Sequence, residues 1–289
     1  MKKAALAILF CFLAIPLWAV TNISSLPQTL SIPGETYQLT GNLTCNTGTA
    51  ITVGANGVVI DGKGYTLNFA QTGGGTGIDV AGYDNVEIKN FTFSTAYTSN
   101  STGAYVKHIE LGASASAASP NIHDNTFNVL GRQVYDPTGS NIYDRDRGIE
   151  GTTATNATIT NNTFAQSGVD RGVSILVEGG PWSITHNTFT CTSCTVTTSY
   201  PFFIKIAETS SDAISINNNT FTVDSNSTHV YPINGWNVVA AVTVSNNTIT
   251  HSGTHGRMIN PDNASSGWII QDNTITMNGA GPGNLYGLR

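Results

Sequence analysis

Charge is what this chain has least of: only 10% of its 289 residues are Asp, Glu, Lys or Arg, and 12 basic residues face 18 acidic ones for a formal charge of −6. A chain so poor in cations cannot neutralise a row of phosphates, which excludes a general nucleic-acid binder. Cysteine is also scarce. Beyond the first 19 residues only Cys45, Cys191 and Cys194 remain, an odd number that cannot build a full disulfide framework. Cys191 and Cys194 form a lone Cys-x-x-Cys with no second pair and no suitably spaced histidine, so a local disulfide or two free thiols is expected there rather than zinc. After residue 19 no apolar run is long enough to cross a bilayer, and no Pro-rich or charged linker separates two domains. One elongated domain without a transmembrane segment is expected.

The first residues differ from the rest. Lys2 and Lys3, an apolar run from Ala4 to Leu17 and a small residue at Ala19 have the pattern of a secretory signal peptide over 1–19. The expected location is extracellular, periplasmic or at the cell surface. Without Lys2 and Lys3 the balance is ten basic against eighteen acidic residues, near −8, which suits a cationic partner or a bound metal.

What is abundant is one short phrase. It reads Ile88-Lys-Asn-Phe-Thr-Phe93, Ile122-His-Asp-Asn-Thr-Phe127, Ile159-Thr-Asn-Asn-Thr-Phe164, Ile184-Thr-His-Asn-Thr-Phe189, Ile216-Asn-Asn-Asn-Thr-Phe221, Val244-Ser-Asn-Asn-Thr-Ile249 and Ile270-Gln-Asp-Asn-Thr-Ile275. The last residues of successive copies are 34, 37, 25, 32, 28 and 26 apart. The short gaps suit one turn of a stacked β-solenoid and the long ones a turn with a corner insertion. A degenerate copy, Val58-Val-Ile-Asp-Gly-Lys-Gly-Tyr-Thr-Leu67, replaces the Asn-Thr pair with glycines that permit a tight corner. The expected fold is all-β: a single-stranded, right-handed parallel β-helix of about eight to nine coils. Its expected bounds are a cap and opening coil over 20–50, the helix over 51–277 and a C-terminal tail over 278–289.

A second strand lies about 15 to 18 residues before each phrase, with inward aliphatics Ile51, Ile78, Ile109, Ile149, Val173, Ile204, Ile233 and Ile259. Strand alternation turns the next residues outward: Thr52, Asp79, Glu110, Glu150, Ser174, Lys205, Asn234 and Asn260. Asp79, Glu110 and Glu150 would stand about 5 Å apart on successive coils and need a compensating cation, a shared proton or basic neighbours. Two residues before the inward aliphatic, Thr76, Lys107, Arg147, Arg171, Phe202, Tyr231 and Arg257 form a largely basic file. Strict alternation would turn this file inward, so its display requires a corner there. Two readings stand: a salt-bridged ladder that only stabilises the sheet, or a groove in which basic and aromatic side chains take an anionic polymer while the carboxylates hold Ca2+.

The segment from Gly131 to Arg147 is the most charge-dense of the chain, and as a corner loop it would overhang Glu110 and Glu150. Asp136, Asp144 and Asp146 are spare acids there, and Tyr135 and Tyr143 could stack on sugar rings. The asparagines Asn125, Asn162, Asn187, Asn219, Asn247 and Asn273 recur at one corner position and are expected to form a structural hydrogen-bonded ladder. Thr92, Thr126, Thr163, Thr188, Thr220, Thr248 and Thr274 form another column, repeated two residues later by Thr190, Thr222, Thr250 and Thr276. Outward threonine suits an exposed β-face, and such a Thr array is also compatible with binding ice, although the uneven coil lengths count against it.

The Ile-x-Asn-Asn-Thr-Phe repeats and Ile60-Asp-Gly-Lys-Gly64 resemble the right-handed parallel β-helix superfamily that includes pectate lyases, other polysaccharide lyases and polygalacturonases; the resemblance spans roughly residues 39–277. It implies a carbohydrate-active protein whose partner is an acidic polysaccharide. Carried onto this chain, it implies calcium ligands at Asp79, Glu110 and Glu150, a base at Lys205 with Arg171 and His108 in reserve, and substrate binding by Lys107, Arg147, Arg257, Tyr231 and Tyr143. Calcium and arginine would acidify the proton beside a uronate carboxylate, and its removal would expel the glycosidic oxygen by β-elimination. The polygalacturonase residue set and a full lyase signature are absent from the sequence. A non-catalytic glycan-binding or structural solenoid, a glycoside hydrolase using Glu110 and Glu150, and the Thr-array ice binder are the alternatives.

Overall fold

Each repeat phrase folds as two strands meeting at an asparagine corner, and the corner explains why two polar residues recur there. The first of them adopts a left-handed backbone, with φ of 56° at Asp124, 55° at Asn161, 57° at His186, 56° at Asn218 and 55° at Asn246. Asn and Asp tolerate this conformation better than most residues. The second is the ladder asparagine. Its Oδ1 accepts from the ladder residue of the preceding coil, as in Asn162 N–H to Asn187 Oδ1 at 2.9 Å and Asn187 N–H to Asn219 Oδ1 at 2.9 Å. Its Nδ2 donates to the preceding coil's strand, as from Asn187 to Ile159 O at 2.9 Å, and to its own corner at Thr185 O, 3.0 Å. The buried amides are thereby satisfied along the whole stack.

The computed structural model describes residues 20–46, 48–69, 75–95, 106–112, 118–131, 146–152, 154–169, 172–195, 200–207, 212–263, 267–279 and 285–288. These form three parallel sheets of ten, nine and ten strands. The first runs from Val20–Ile23 to Trp268–Gln271, the second from Leu43–Cys45 to Thr274–Met277 and the third from Gln28–Leu30 to Leu285–Leu288. The chain visits first, second and third sheet in turn, with every ladder parallel, as the right-handed β-helix requires. From Thr36 onward this makes nine three-strand coils, the upper end of the eight to nine expected. Residues 20–50 already pair in register with the helix, for example Tyr37 beside Ile60. At the far end Leu285–Leu288 pairs with Gly256–Asp262, within the expected tail. Among the described residues no helix is long and apolar enough to cross a membrane.

The core is a set of stacked columns. Phe93, Phe127, Phe164, Phe189 and Phe221 are fully buried, with successive ring centroids 4.9, 4.6, 4.8 and 4.8 Å apart and nearly parallel planes. Gly62 belongs to a corner that lacks the ladder asparagine: a Cβ there would lie 2.6 Å from the Phe91 ring and 2.6 Å from Asn90 O, so only glycine fits. Cys191 and Cys194 form the local disulfide, both buried, and Cys45 is a buried unbridged thiol.

Asn187→Ala should leave buried backbone and amide groups of two coils without partners and destabilise the fold by about 2 kcal/mol or more, since each such group costs about 1–3 kcal/mol. Asn273→Ala, at the open end of the ladder, should cost clearly less. Urea unfolding midpoints of the two variants check this, and equal losses would deny the ladder its role.

Candidate functional site

The outer face of the third sheet carries charge because its strands break alternation. In Val106–Leu111, His108 and Ile109 are consecutive and both fully buried, while Lys107 and Glu110 turn outward. The neighbouring pairings skip the same position, passing from Lys107 beside Arg147 directly to Ile109 beside Ile149. The cause is visible at the glycines in that position. A Cβ on Gly77 would lie 2.3 Å from His108 O, and one on Gly148 would lie 2.5 Å from Ser174 O, so the backbones of adjacent coils close in there. Two outward columns three residues apart therefore share one surface, and the basic file is displayed without any corner.

On that surface four charges form one chain. Lys107 Nζ donates to Glu110 Oε1 and lies 3.4 Å from Glu150 Oε1, which also receives Arg147 Nη1 at 2.5 Å. Thr76 Oγ1 donates to the other Glu110 oxygen at 3.1 Å. All four charged side chains are largely covered, from 4% exposed at Glu150 to 15% at Arg147. Asp79, the next residue in the acidic file, accepts from Ala81 N–H at 2.8 Å. Burial raises the Asp79 carboxyl above its ordinary range, with Glu110 adding to the rise and the Ala81 bond and Lys107 opposing it.

The register of one coil differs from expectation. Ile149 pairs with Ile175, and Ile175 with Ile204, so Ile175 and Leu176 occupy the places expected for Val173 and Ser174. The sequence Val173-Ser-Ile-Leu-Val177 offers two aliphatic candidates, and the paired inward positions select Ser174 with Ile175. Val173 then stands in the basic file where Arg171 was expected. Arg171 itself lies outside the described residues, as do Tyr143, Tyr135, Asp136, Asp144 and the proposed signal peptide. The corrected register exposes a residue that sequence reasoning missed. Glu178 follows Leu176 by one outward step, and burial together with Glu150 raises its carboxyl, against Arg147, Lys205 and Lys107. The two-residue slip hid it.

His108 is the clearest correction. It is not a reserve base on the face but part of the core, fully buried and stacked between Phe69, Phe93 and Phe127 with its Nε2 3.0 Å from Thr95 Oγ1. Burial pushes its pKa down to about 3. Asp79, Glu110 and Glu150 do occupy successive positions of one file. The compensation that stacked carboxylates require comes at Glu110 and Glu150 from Lys107 and Arg147, which hold one oxygen, Oε1, of each glutamate. Among the described residues no group of three or more His, Cys, Asp or Glu is placed to hold a metal.

Toward the C-terminal end the same face becomes aromatic. Lys205 marks the change, beside Leu176 on one side and Asn234 on the other, with its Nζ 5.4 Å from the Phe202 ring. Tyr231 lies 5.8 Å from Phe202 and 4.8 Å from Tyr200 between ring centroids. Arg257 sits 5.8 Å over Tyr231 and 3.4 Å from Asp262. Tyr200 and Trp236 are 41% and 51% exposed.

No family profile matches the chain, and no curated protein matches it. Among solved structures, the A-module of mannuronan C-5 epimerase AlgE4 from Azotobacter vinelandii is similar over 90% of this chain and 89% of that chain, with 13% identity and a TM-score of 0.20. The strand pairing defines the parallel β-helix without it.

His108 also predicts an acid response. The unfolded histidine takes up a proton below its ordinary pKa of 6.5, whereas the folded one stays neutral down to about 3. Stability is therefore full above pH 6.5 and falls as the pH drops toward 3, at about 1.4 kcal/mol per unit for this residue. His251, buried with a pKa of about 4, acts in the same direction. Melting temperatures of the wild type should fall on acidification, and His108→Phe, which continues the ring stack, should reduce that fall.

Proposed function

We propose that the protein binds an acidic polysaccharide along the outer face of the third sheet and cleaves it by β-elimination. The observation that carries this reading is the position of Lys205, between a cluster of buried-type charges and an exposed aromatic strip on one continuous face. Sugar rings present apolar faces that pack on Tyr and Trp, while their carboxylates need a cation, and Tyr231, Trp236, Arg257 and Lys205 offer both within a few coils. Strands about 4.8 Å apart offer a new outward side chain at each step of the sugar chain.

In the elimination, Lys205 takes the proton from the carbon beside the uronate carboxylate. The released electron pair forms the carbon–carbon double bond and the bond to the glycosidic oxygen breaks. Glu178, its carboxyl held protonated to higher pH by burial and by Glu150, supplies the proton to that oxygen. Lys107 and Arg147 keep Glu110 and Glu150 compensated, so that the substrate carboxylate meets a face of balanced charge rather than an acidic one. No step runs through calcium. The hydrolase alternative loses its basis, since Glu110 and Glu150 are tied to the same ammonium group rather than flanking an open space.

The engagement of Glu110 Oε1 and Glu150 Oε1 by Lys107 and Arg147 favours a second reading, in which the face binds glycan without turnover. Absorbance of unsaturated product during incubation with a panel of polyuronides, with and without calcium, separates the two. Elimination should appear with the wild type and fall by about 10²-fold or more in Lys205→Ala. Trp236→Ala should weaken binding more than it slows turnover. A flat trace with binding that depends on Trp236 would establish the second reading, and a folded protein that neither binds nor cleaves would overturn both.

A further inference from the structure

The outer face of the second sheet has the opposite character. From Thr66 to Thr274, eight successive strands place threonine at the same position, each paired in register with the next. On the last four of these strands a second file follows two residues on: Thr190, Thr222, Thr250 and Thr276. No charged residue occupies the strands from Thr66–Phe69 to Thr248–His251 except His251, which points inward and is fully buried. The described surface is a charge-free lattice of hydroxyls and methyls, two files wide toward its C-terminal end.

The lattice is held to one spacing by the ladder behind it. From Thr163 onward the amide of each threonine donates to the carbonyl of the ladder asparagine one coil earlier: Thr163 to Asn125 at 2.8 Å, Thr188 to Asn162 at 2.9 Å, Thr220 to Asn187 at 2.9 Å, Thr248 to Asn219 at 2.9 Å and Thr274 to Asn247 at 2.8 Å. The phenylalanine beneath each of the central threonines fixes the step directly, with ring centroids 4.6, 4.8 and 4.8 Å apart from Phe127 to Phe221 and planes within 9° of parallel. Uneven coil lengths do not disturb it. The interval from ladder asparagine to threonine is constant at every corner, and the one irregularity of pairing, between Ser167 and Val169, lies beyond the threonine.

Water hydrogen-bonded tetrahedrally at an oxygen separation of about 2.75 Å repeats at about 4.5 Å between second neighbours and about 7.3 Å along the perpendicular axis of hexagonal ice. The threonine files repeat at the coil step in one direction and at about 6.7 Å, one two-residue strand step, in the other. Both spacings agree with ice to within about a tenth. A charged face would organise water around ions and break this order; here the methyls exclude disordered water and the hydroxyls bond to the lattice. We infer that the outer face of the second sheet binds ice, with the doubled files of the last four strands as its centre. This surface is distinct from the third-sheet face, so the inference stands or falls independently of the polysaccharide reading.

Thermal hysteresis and the shape of single ice crystals growing in a solution of the full-length protein test it. Faceted crystals and a freezing point held below the melting point are expected for the wild type. Both should be lost in Thr222→Lys, or in Thr222→Tyr should the lysine variant fail to fold, because a charge or a ring at the centre breaks the plane. Ser183→Lys, which puts the same charge on the outer face of the first sheet, should retain them. Unshaped crystals with folded wild-type protein would overturn the inference, as would equal loss in the Thr222 and Ser183 variants.

Discussion

Everything in this molecule depends on one constraint: parallel strands stacked coil on coil must repeat the same residue at the same height. The asparagine ladder enforces that height. Each ladder amide is shared between two coils, donating to the strand of the coil before and accepting from that coil's own ladder residue. A coil out of register by one residue would leave several buried donors and acceptors without partners, and no gain in apolar burial at a single position would offset it. The phenylalanine stack and the threonine files are consequences of the same registration, one on each side of a strand.

The constraint binds one corner and leaves the other two free. At every corner that carries a ladder asparagine the same short turn joins the first and second sheets, whereas the internal segments outside the described residues all fall between the second and third sheets or between the third and the first. The two outer faces differ accordingly. The second-sheet face keeps threonine at one position over eight strands. The third-sheet face, flanked by insertions, changes from charged to aromatic along its length, which suits recognition of a chemically varied ligand rather than a lattice.

Much of the fold was legible because a solenoid writes its contacts as a repeat. Ile122, Ile159 and Ile184 fall beneath one another simply by aligning the phrases, and the ladder role of Asn162 followed from its recurrence. The candidate site was less legible, for two physical reasons. Alternation fails at His108 and Ile109, where two consecutive side chains turn inward, so a period-two reading places His108 on the wrong side of the strand. In Val173-Ser-Ile-Leu-Val177 every residue is apolar or small, so the pattern holds no mark of which aliphatic is inward. That ambiguity hid Val173 as the residue paired with Arg147, and Glu178 with it.

The amino-acid order by itself determined the parallel β-helix, its ladder corner, its threonine files and the two files that carry Lys107, Arg147, Glu110 and Glu150, because each depends only on recurrence at nearly fixed spacing. Only the tertiary structure decided what those charges do to one another. Whether stacked carboxylates hold a metal or are neutralised by the chain's own cations depends on where Lys107 Nζ and Arg147 Nη1 lie, and those positions follow from close backbone approaches at Gly77 and Gly148 between coils distant in sequence.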